Sequence, residues 1–594
     1  MKNFKDKANL IWEVADLLRG DFRQSDYGKV ILPMTVLRRL DCVLEPTREK
    51  VLKMLPRVEH MSETARDTAL NKQAGLSFHN SSNYNFDKLI AEPDNIAQNL
   101  KTYINGFSSS AREILEYFNF DTQIDRMDNP EADILFQIVK SFQEIDLTPD
   151  RNNMDQDSME MGYIFEELIR KFSEQSNETA GEHFTPREVI RLMVHLLFIE
   201  DNDILSLEGI VKTMYDPACG TGGMLSVAEQ YVKEHNPKAD LKVFGQEINS
   251  ESYAICKSDM LIKGQNPSNI KFGDTFINDG LHGEKFDYML SNPPFGVNWK
   301  KSQKSIKAES NKGDSGRFSA GLPRINDGSL LFLQHMISKM KDDGSRIGIV
   351  FNGSPLFTGT AGGGESDIRK WIIENDWLEA IVALPDQLFY NTGISTYIWI
   401  VTNNKNAQRK GKVQLINATG DVKTDNNVTD LFWEKMPRSL GNKRKKITEN
   451  GNEKGIGFIT QLYGNFEEND FCKILPNEYF AYWRVVIEQP VMKNGKVVKS
   501  KGKPKPDSSL RDYENIPFLK ENTDGDLEPQ TIETYFDREV KPHLPNAWID
   551  HSKTKIGYEI SFTKYFYQFT PLRPLTEIRS EIAELESKIT KELI

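Results

Sequence analysis

Hydrophobic positions recur every three to four residues through the first quarter of the chain. Leu10, Val14, Leu17 and Leu18 form one such set, and Val36, Leu37, Leu40 and Leu44 another. That period keeps apolar side chains on one face of a helix. Phe107, Ile114, Leu115, Phe118 and Phe120 add a further set without strand-like alternation, so residues 1–150 read as a helical domain. The polar stretch from Asp146 to Ser158 reads as an interdomain turn. From about Gly162 to Asn403 short apolar runs at 212–216, 241–247, 270–274, 286–292, 346–351, 378–384 and 395–402 alternate with helical stretches such as Gly223–His235 and Asn249–Lys263. Strand alternating with helix predicts a doubly wound, mostly parallel α/β sheet. The last two runs lack a long helix between them, which suits antiparallel neighbours. A catalytic domain is therefore expected over 151–405 and an α+β C-terminal region over 406–594. Within that region Lys493–Asp507 resembles an exposed hairpin or insertion. Leu575, Ile578, Ile582, Leu585 and Ile589 then step by three and four, the heptad stripe of a terminal helix.

Composition narrows the class. With 38% hydrophobic and 27% charged residues the chain suits a soluble globular protein of roughly three domains. It has no apolar run near the roughly 20 residues of a membrane helix, and charges occupy the N-terminus where a signal peptide needs an apolar core. A cytoplasmic protein without membrane contact is expected. Cys42, Cys219, Cys256 and Cys472 are scattered, which favours reduced thiols over a disulfide framework or a zinc site. The net charge of -12 bears on partners. DNA affinity comes largely from cations on phosphates, so an acidic chain needs clustered basic residues or a basic partner to bind DNA.

Two motifs carry the chemistry. The first, Asp216-Pro-Ala-Cys-Gly-Thr-Gly-Gly223, joins a predicted strand to a predicted helix. Small residues there let a ligand approach the backbone at the carboxyl end of the strand. Glu247 ends the next strand, about 30 residues on, where an acid suits ribose hydroxyls, and Asp274 follows the third, placed for an adenine edge. Each acid alone is compatible with a surface residue or helix cap. Together they point to a nucleoside crevice.

The second motif, Ser291-Asn-Pro-Pro-Phe-Gly296, ends the fourth strand. Its two prolines stiffen the backbone and remove two donors. The Asn292 amide and the Asn292 and Pro293 carbonyls then offer acceptors for both hydrogens of an aromatic amine, and Phe295 a stacking face. A rigid turn around a buried Phe is the competing reading. Lys300, Lys301, Lys304, Lys307 and Lys312 follow and read first as a solvated flexible loop, with phosphate contact as the alternative.

With these residues in view the chain resembles the amino-group DNA methyltransferases, whose donor is S-adenosylmethionine. Ala180–Val189 matches the cofactor motif that precedes the sheet, Asn391–Val401 the late motif near the target base, and Asp155–Thr402 as a whole the modification subunit of type I restriction-modification systems. The resemblance implies a seven-stranded sheet. It places Glu182, His183, Phe184, Thr185, Pro186 and Arg187 on the cofactor, with Asp216, Gly220, Thr221 and Gly222 in the glycine turn, Glu247 on the ribose and Asp274 on the adenine. Asn292, Pro293, Pro294 and Phe295 would hold a flipped adenine for N6 methylation, a reaction that calls for no metal ligand. His183 departs from the aromatic or hydrophobic residue the family often has there. The resemblance also implies double-stranded DNA, a specificity subunit (two modification subunits to one) and a restriction/translocase subunit as partners. A stand-alone adenine methyltransferase, a protein-glutamine methyltransferase and a non-catalytic scaffold are the competing readings. Intact Asp216, Glu247, Asn292 and Phe295 weigh against the last.

Overall fold

The computed structural model describes residues 3–129, 133–150, 160–172 apart from 166 and 170, 185–390, 392–420, 431–566 apart from 450, 452 and 524, and 574–592. Nine helices of regular α form, from Asn3–Leu17 to Ile134–Glu144, make up the described part of the first 145 residues. Their amphipathic faces close one core around Ile31, Leu37, Phe86, Leu100, Ile138 and Phe142. Asp146–Asp150 carry no helix or strand, and the rest of the expected interdomain turn lies outside the described residues.

The central sheet contains β1 (Val211–Asp216), β2 (Asp240–Glu247), β3 (Ile270–Phe272), β4 (Tyr288–Ser291), β5 (Arg346–Asn352), β6 (Leu378–Ala383), β7 (Thr396–Thr402) and β8 (Lys412–Asn417). A hairpin of β9 (Trp433–Leu440) and β10 (Lys443–Ile447) follows, then β11 (Cys472–Pro476), which rejoins the sheet, and β12 (Ala481–Glu488), which does not. The sheet runs in the order β11-β8-β6-β7-β5-β4-β1-β2-β3. Within it β7 is antiparallel to both β5 and β6, as the missing crossover helix predicts. The seven expected strands are therefore present, but the sheet continues to nine. β8 lies parallel to β6 and β11 antiparallel to β8. Both fall in the stretch that the sequence reading assigns to the C-terminal region. Val413 and Leu415 bury on one sheet face and Ile416 on the other, while buried Gln414 donates to the Leu462 carbonyl at 2.8 Å. A polar residue satisfied in this way interrupts the apolar signal of the strand without weakening the strand itself.

Successive residues of the central strands enter opposite cores, as the period of two requires. Val350, Ile398 and Val382 face the layer of helices Arg187–Phe198 and Gly223–His235, whereas Ile349, Trp399 and Ile381 face the layer containing Ser329–Ser338 and Gly364–Glu374. Burial on both faces explains why these strands read as unbroken apolar runs. Helix Ser250–Ile262 joins two cores. Cys256 and Met260 pack on the sheet, and Ile255 and Leu261 pack into the N-terminal helical core. The helical domain is thus docked beside the crevice. Beyond β11, β12 pairs with strands Asp512–Pro517, Trp548–Ile549 and Lys555–Tyr558. Lys493–Asp507 holds two short exposed hairpins. The terminal helix Leu575–Glu592 exposes Leu575, Ile578, Ile582, Leu585 and Ile589 by 37–67%.

Candidate active site

The carboxyl ends of β1 to β4 open onto one crevice of about 460 Å³, within the roughly 300–1,000 Å³ of small-molecule sites. Parallel pairing of β1 with β2 and β4, and of β2 with β3, brings Asp216, Glu247, Asp274 and Asn292 to the same sheet edge. All four line the crevice, together with Thr185, Arg187, Gly220, Thr221 and Pro294.

The glycine turn is fixed from both sides. Gly220 and Gly222 have φ of 53° and 84°, and a Cβ on Gly222 would lie 2.8 Å from Cys256 Sγ. The Gly220 N–H donates to Glu247 Oε2 at 2.8 Å and the Asn249 N–H to Glu247 Oε1 at 2.7 Å. Glu247 is thereby aimed along the crevice by two backbone donors. Asp274 is held in the same way: Oδ1 accepts from the Phe276 N–H at 2.8 Å and Oδ2 from the Ser302 hydroxyl at 2.6 Å. Asp216 Oδ1 accepts from the Ala218 N–H at 3.0 Å and from the Ser291 hydroxyl at 2.9 Å. This carboxyl therefore links the glycine turn to the residue before Asn292. Burial pushes it up to about 7, and Glu247 adds to the rise, against the opposing pull of its two hydrogen bonds. The Cys219 thiol is raised well above its usual range by Cys256 and by burial, which leaves it inert.

Asn292 Nδ2 donates to Thr185 Oγ1 at 2.8 Å. Because an amide is planar, anchoring the nitrogen fixes the oxygen, and Oδ1 points away from Thr185. Pro293 is buried and Pro294 lines the crevice. The Phe295 ring meets Phe389 edge-on at 6.3 Å, so the motif's aromatic residue is braced by the loop after β6. Thr185 and Pro186 lead directly into helix Arg187–Phe198, and the Arg187 guanidinium lies 5.1 Å from the Tyr163 ring. Glu182, His183 and Phe184 lie outside the described residues.

The lysine-rich segment after the motif differs from the expected flexible loop. It forms helix Gln303–Ser310, and Trp299, Ile306 and Phe318 pack with Phe276 and Leu331 in a small core of their own. Arg317 ties it down, donating to the Thr275 carbonyl at 2.7 Å, the Phe276 carbonyl at 3.0 Å and Glu309 at 2.7 Å. The segment is thus a wall of the crevice, contributing Val297, Trp299, Lys301 and Ser302. The sequence reading missed Val297, Trp299 and Ser302, along with Phe276 and Ile248, and singled out Lys301 only as part of a lysine-rich loop. Ile248 is 64% exposed directly after Glu247, where an apolar side chain suits a ring face rather than water. An apolar residue following a strand-end acid was a signal available in the sequence. Among the described residues no group of three His, Cys, Asp or Glu side chains is placed to hold a metal ion.

The geometry can take an elongated ligand with an adenosine end and present its other end to an amide acceptor. Residues 156–473 match the N-6 DNA Methylase family and residues 7–142 the HsdM N-terminal domain. The chain is 27% identical over 470 residues to the type I restriction enzyme MjaIX methylase subunit of Methanocaldococcus jannaschii, covering 75% of this chain and 78% of that one. It is 30% identical over 326 residues to the HindI methylase subunit of Haemophilus influenzae, covering 54% and 68%. Its fold is similar to the type I restriction-modification methyltransferase subunit from Streptococcus thermophilus, with a TM-score of 0.61 at 22% identity over 80% of this chain and 97% of that one. With a family model spanning more than half of its length, the chain belongs to the N-6 DNA methylases, adenine-specific DNA methyltransferases, in their type I modification-subunit branch.

Proposed function

We propose that the crevice binds S-adenosylmethionine and that the chain transfers its methyl group to N6 of an adenine flipped out of duplex DNA. The observation that carries this reading is the linkage of the two motifs. Asp216, at the head of the glycine turn, is hydrogen-bonded to Ser291, and Asn292 beside it is anchored to Thr185. The donor and acceptor ends of the reaction thereby share one rigid edge. The chain's own residues fit the donor. Asp274 accepts from the adenine amine while Ile248 and Phe276 offer apolar faces to the ring. Glu247 accepts from the ribose hydroxyls, and the backbone of Gly220–Gly222 passes under the remainder with Arg187 nearby. Glu182, His183, Phe184 and Pro186 complete the contacts that the family motif implies.

S-adenosylmethionine supplies a methyl group already activated on a sulfonium. The protein's part is alignment and polarisation. A base inside a duplex cannot reach the crevice and must be extruded. Asn292 Oδ1 and the Pro293 carbonyl accept the two N6 hydrogens, which shifts electron density onto the nitrogen. Phe295, braced by Phe389, stacks on the ring, and Pro294 keeps the backbone from relaxing.

In this reading the chain is the modification subunit of a cytoplasmic type I complex that marks host DNA. Two copies work with one specificity subunit and accept a restriction/translocase subunit. The exposed heptad stripe of helix Leu575–Glu592 supports a helical contact to the specificity subunit, since five apolar residues on one face stand in water in the isolated chain. Calorimetric titration with S-adenosylmethionine tests the site. The wild-type chain binds one equivalent, and Glu247→Ala or Asp274→Ala weakens binding at least tenfold. Equal affinity in these variants would remove the cofactor assignment.

A further inference from the structure

The hairpin β9–β10 carries a concentration of positive charge that the mechanism above does not use. Its turn is fixed to the loop that braces Phe295. The Asn442 N–H donates to the Tyr390 carbonyl at 2.8 Å, and the Arg444 and Lys445 N–H groups to the Gln387 carbonyl at 2.9 and 3.2 Å. Lys443 is buried, donates to the Leu388 carbonyl at 2.8 Å and pairs with Glu188, one residue after the crevice-lining Arg187. The turn of the hairpin therefore stands beside the Phe295–Phe389 pair, at the end of the crevice that receives the base.

The charges divide unequally. Among the described residues, the acids on the hairpin and in contact with it are matched: Glu188 by Lys443, Asp386 by Lys445, Glu434 by Lys446 and Glu449 by Arg191. Lys435, Arg438 and Arg444 are exposed, and no ion pair neutralises them among the described residues. Counted over the described residues, the hairpin thus presents a net local charge of plus three on a chain whose total is -12. Two local features run against stability. Lys435 lies directly opposite Lys445 in the ladder, and like charges so placed repel. The register also shifts between Lys443 and Lys445, where Met436–Ser439 of β9 stand opposite Arg444 alone, so the extra residues bulge on β9 and include Arg438. A bulge beside a site re-aims a side chain. Here the bulge carries the exposed Arg438, and opposite it the backbone N–H of Arg444 is spent on Gln387 while its side chain stays exposed. Departures from local stability at such a place point to function.

We propose that this hairpin grips the phosphate backbone of duplex DNA next to the extruded base, through Lys435, Arg438 and Arg444. The inference rests on the reading of the crevice as an adenine methyltransferase site, and it answers how an acidic chain holds DNA at that point. Phosphate contacts fix register without reading sequence, which suits a subunit whose target choice lies on another chain.

The test compares the full-length wild-type chain with the triple variant Lys435→Gln, Arg438→Gln, Arg444→Gln. Binding of a fluorescein-labelled duplex of arbitrary sequence is followed by anisotropy across a salt series. Titration with S-adenosylmethionine serves as the fold and site control. Each phosphate contact contributes about 0.9 to the slope of log K against log salt. The variant should therefore lose about 2.7 from that slope, with unchanged cofactor affinity. An unchanged slope with intact cofactor binding overturns the proposal. So does intact DNA binding with lost assembly onto a partner polypeptide, which would make the surface an acidic-protein contact. A wild-type chain that binds cofactor but no duplex at any salt concentration overturns the hairpin alone. One that binds neither overturns the methyltransferase site as well.

Discussion

Replacing Asp216 by asparagine should stabilise the donor-free protein, and by an amount that depends on pH. The side chain is 2% exposed, and its carboxyl is pushed from the ordinary 3.8 up to about 7, chiefly by burial. Asparagine has the same shape and keeps an oxygen for the Ala218 N–H and the Ser291 hydroxyl, so the exchange removes charge and little else. The sign follows from which state binds the proton. Below about pH 4 the carboxyl is protonated in the folded and unfolded chains alike, and the charge costs nothing. Between pH 4 and 7 the unfolded chain ionises while the folded one holds its proton, so the folded state loses ground as pH rises. Above pH 7 both are ionised and the cost levels off near 4 kcal/mol, at about 1.4 kcal/mol per pH unit. At pH 5 it has reached only about 1.7 kcal/mol by the same arithmetic. Asp216→Asn should therefore raise the unfolding midpoint more at pH 8 than at pH 5. At roughly 2–4 °C per kcal/mol for a domain of this size, the difference is about 5–10 °C. Scanning calorimetry of the donor-free chain at the two pH values reads this directly. Equal gains at both, or a loss at pH 8, would refute the reasoning.

The same variant should bind S-adenosylmethionine more weakly despite its added stability, because Asp216 lines the crevice and its carboxylate at pH 8 would attract the donor's positive charge; titration calorimetry at pH 8 would show it, and unchanged affinity would place the cation elsewhere. Thr185→Val removes the acceptor that orients the Asn292 amide. Single-turnover methylation should slow about tenfold to a hundredfold, the effect of losing roughly 1.4–3 kcal/mol of alignment, while Thr185→Ser retains the rate; a valine variant at wild-type speed would exclude the orienting role. Deleting Pro574–Ile594 should abolish co-purification with the specificity subunit and leave cofactor affinity unchanged, and normal co-purification would remove the terminal helix as the contact.

The sequence was most legible where hydrophobic period and local motif coincide. Helix Gly223–His235 and the ends of β1 and β2 fall where the pattern puts them, because a buried strand followed by a glycine turn leaves little freedom in register. The antiparallel placement of β7 followed from a missing crossover. What escaped depends on contacts distant in sequence. Ser302 reaches Asp274 across 28 residues, and nothing in a lysine-rich stretch announces that Trp299, Ile306 and Phe318 will meet. β8 and β11 escaped because their pairing partners, not their own composition, make them strands of the sheet. The hydrogen bond from Asn292 to Thr185 spans 107 residues and joins two motifs that had been given separate tasks. Once folded, Thr185 of the upstream motif both anchors the Asn292 amide and lines the crevice.

The central claim is that this chain performs N6 methylation through Asn292. The direct measurement is N6-methyladenine in genomic DNA, mapped by sequencing, from cells carrying the chain with its partner subunits in wild-type and Asn292→Ala form. Modified adenines at a defined sequence should appear with the wild type and vanish with the variant, whose purified protein still binds S-adenosylmethionine. Modification persisting at the wild-type level with Asn292→Ala would contradict the account.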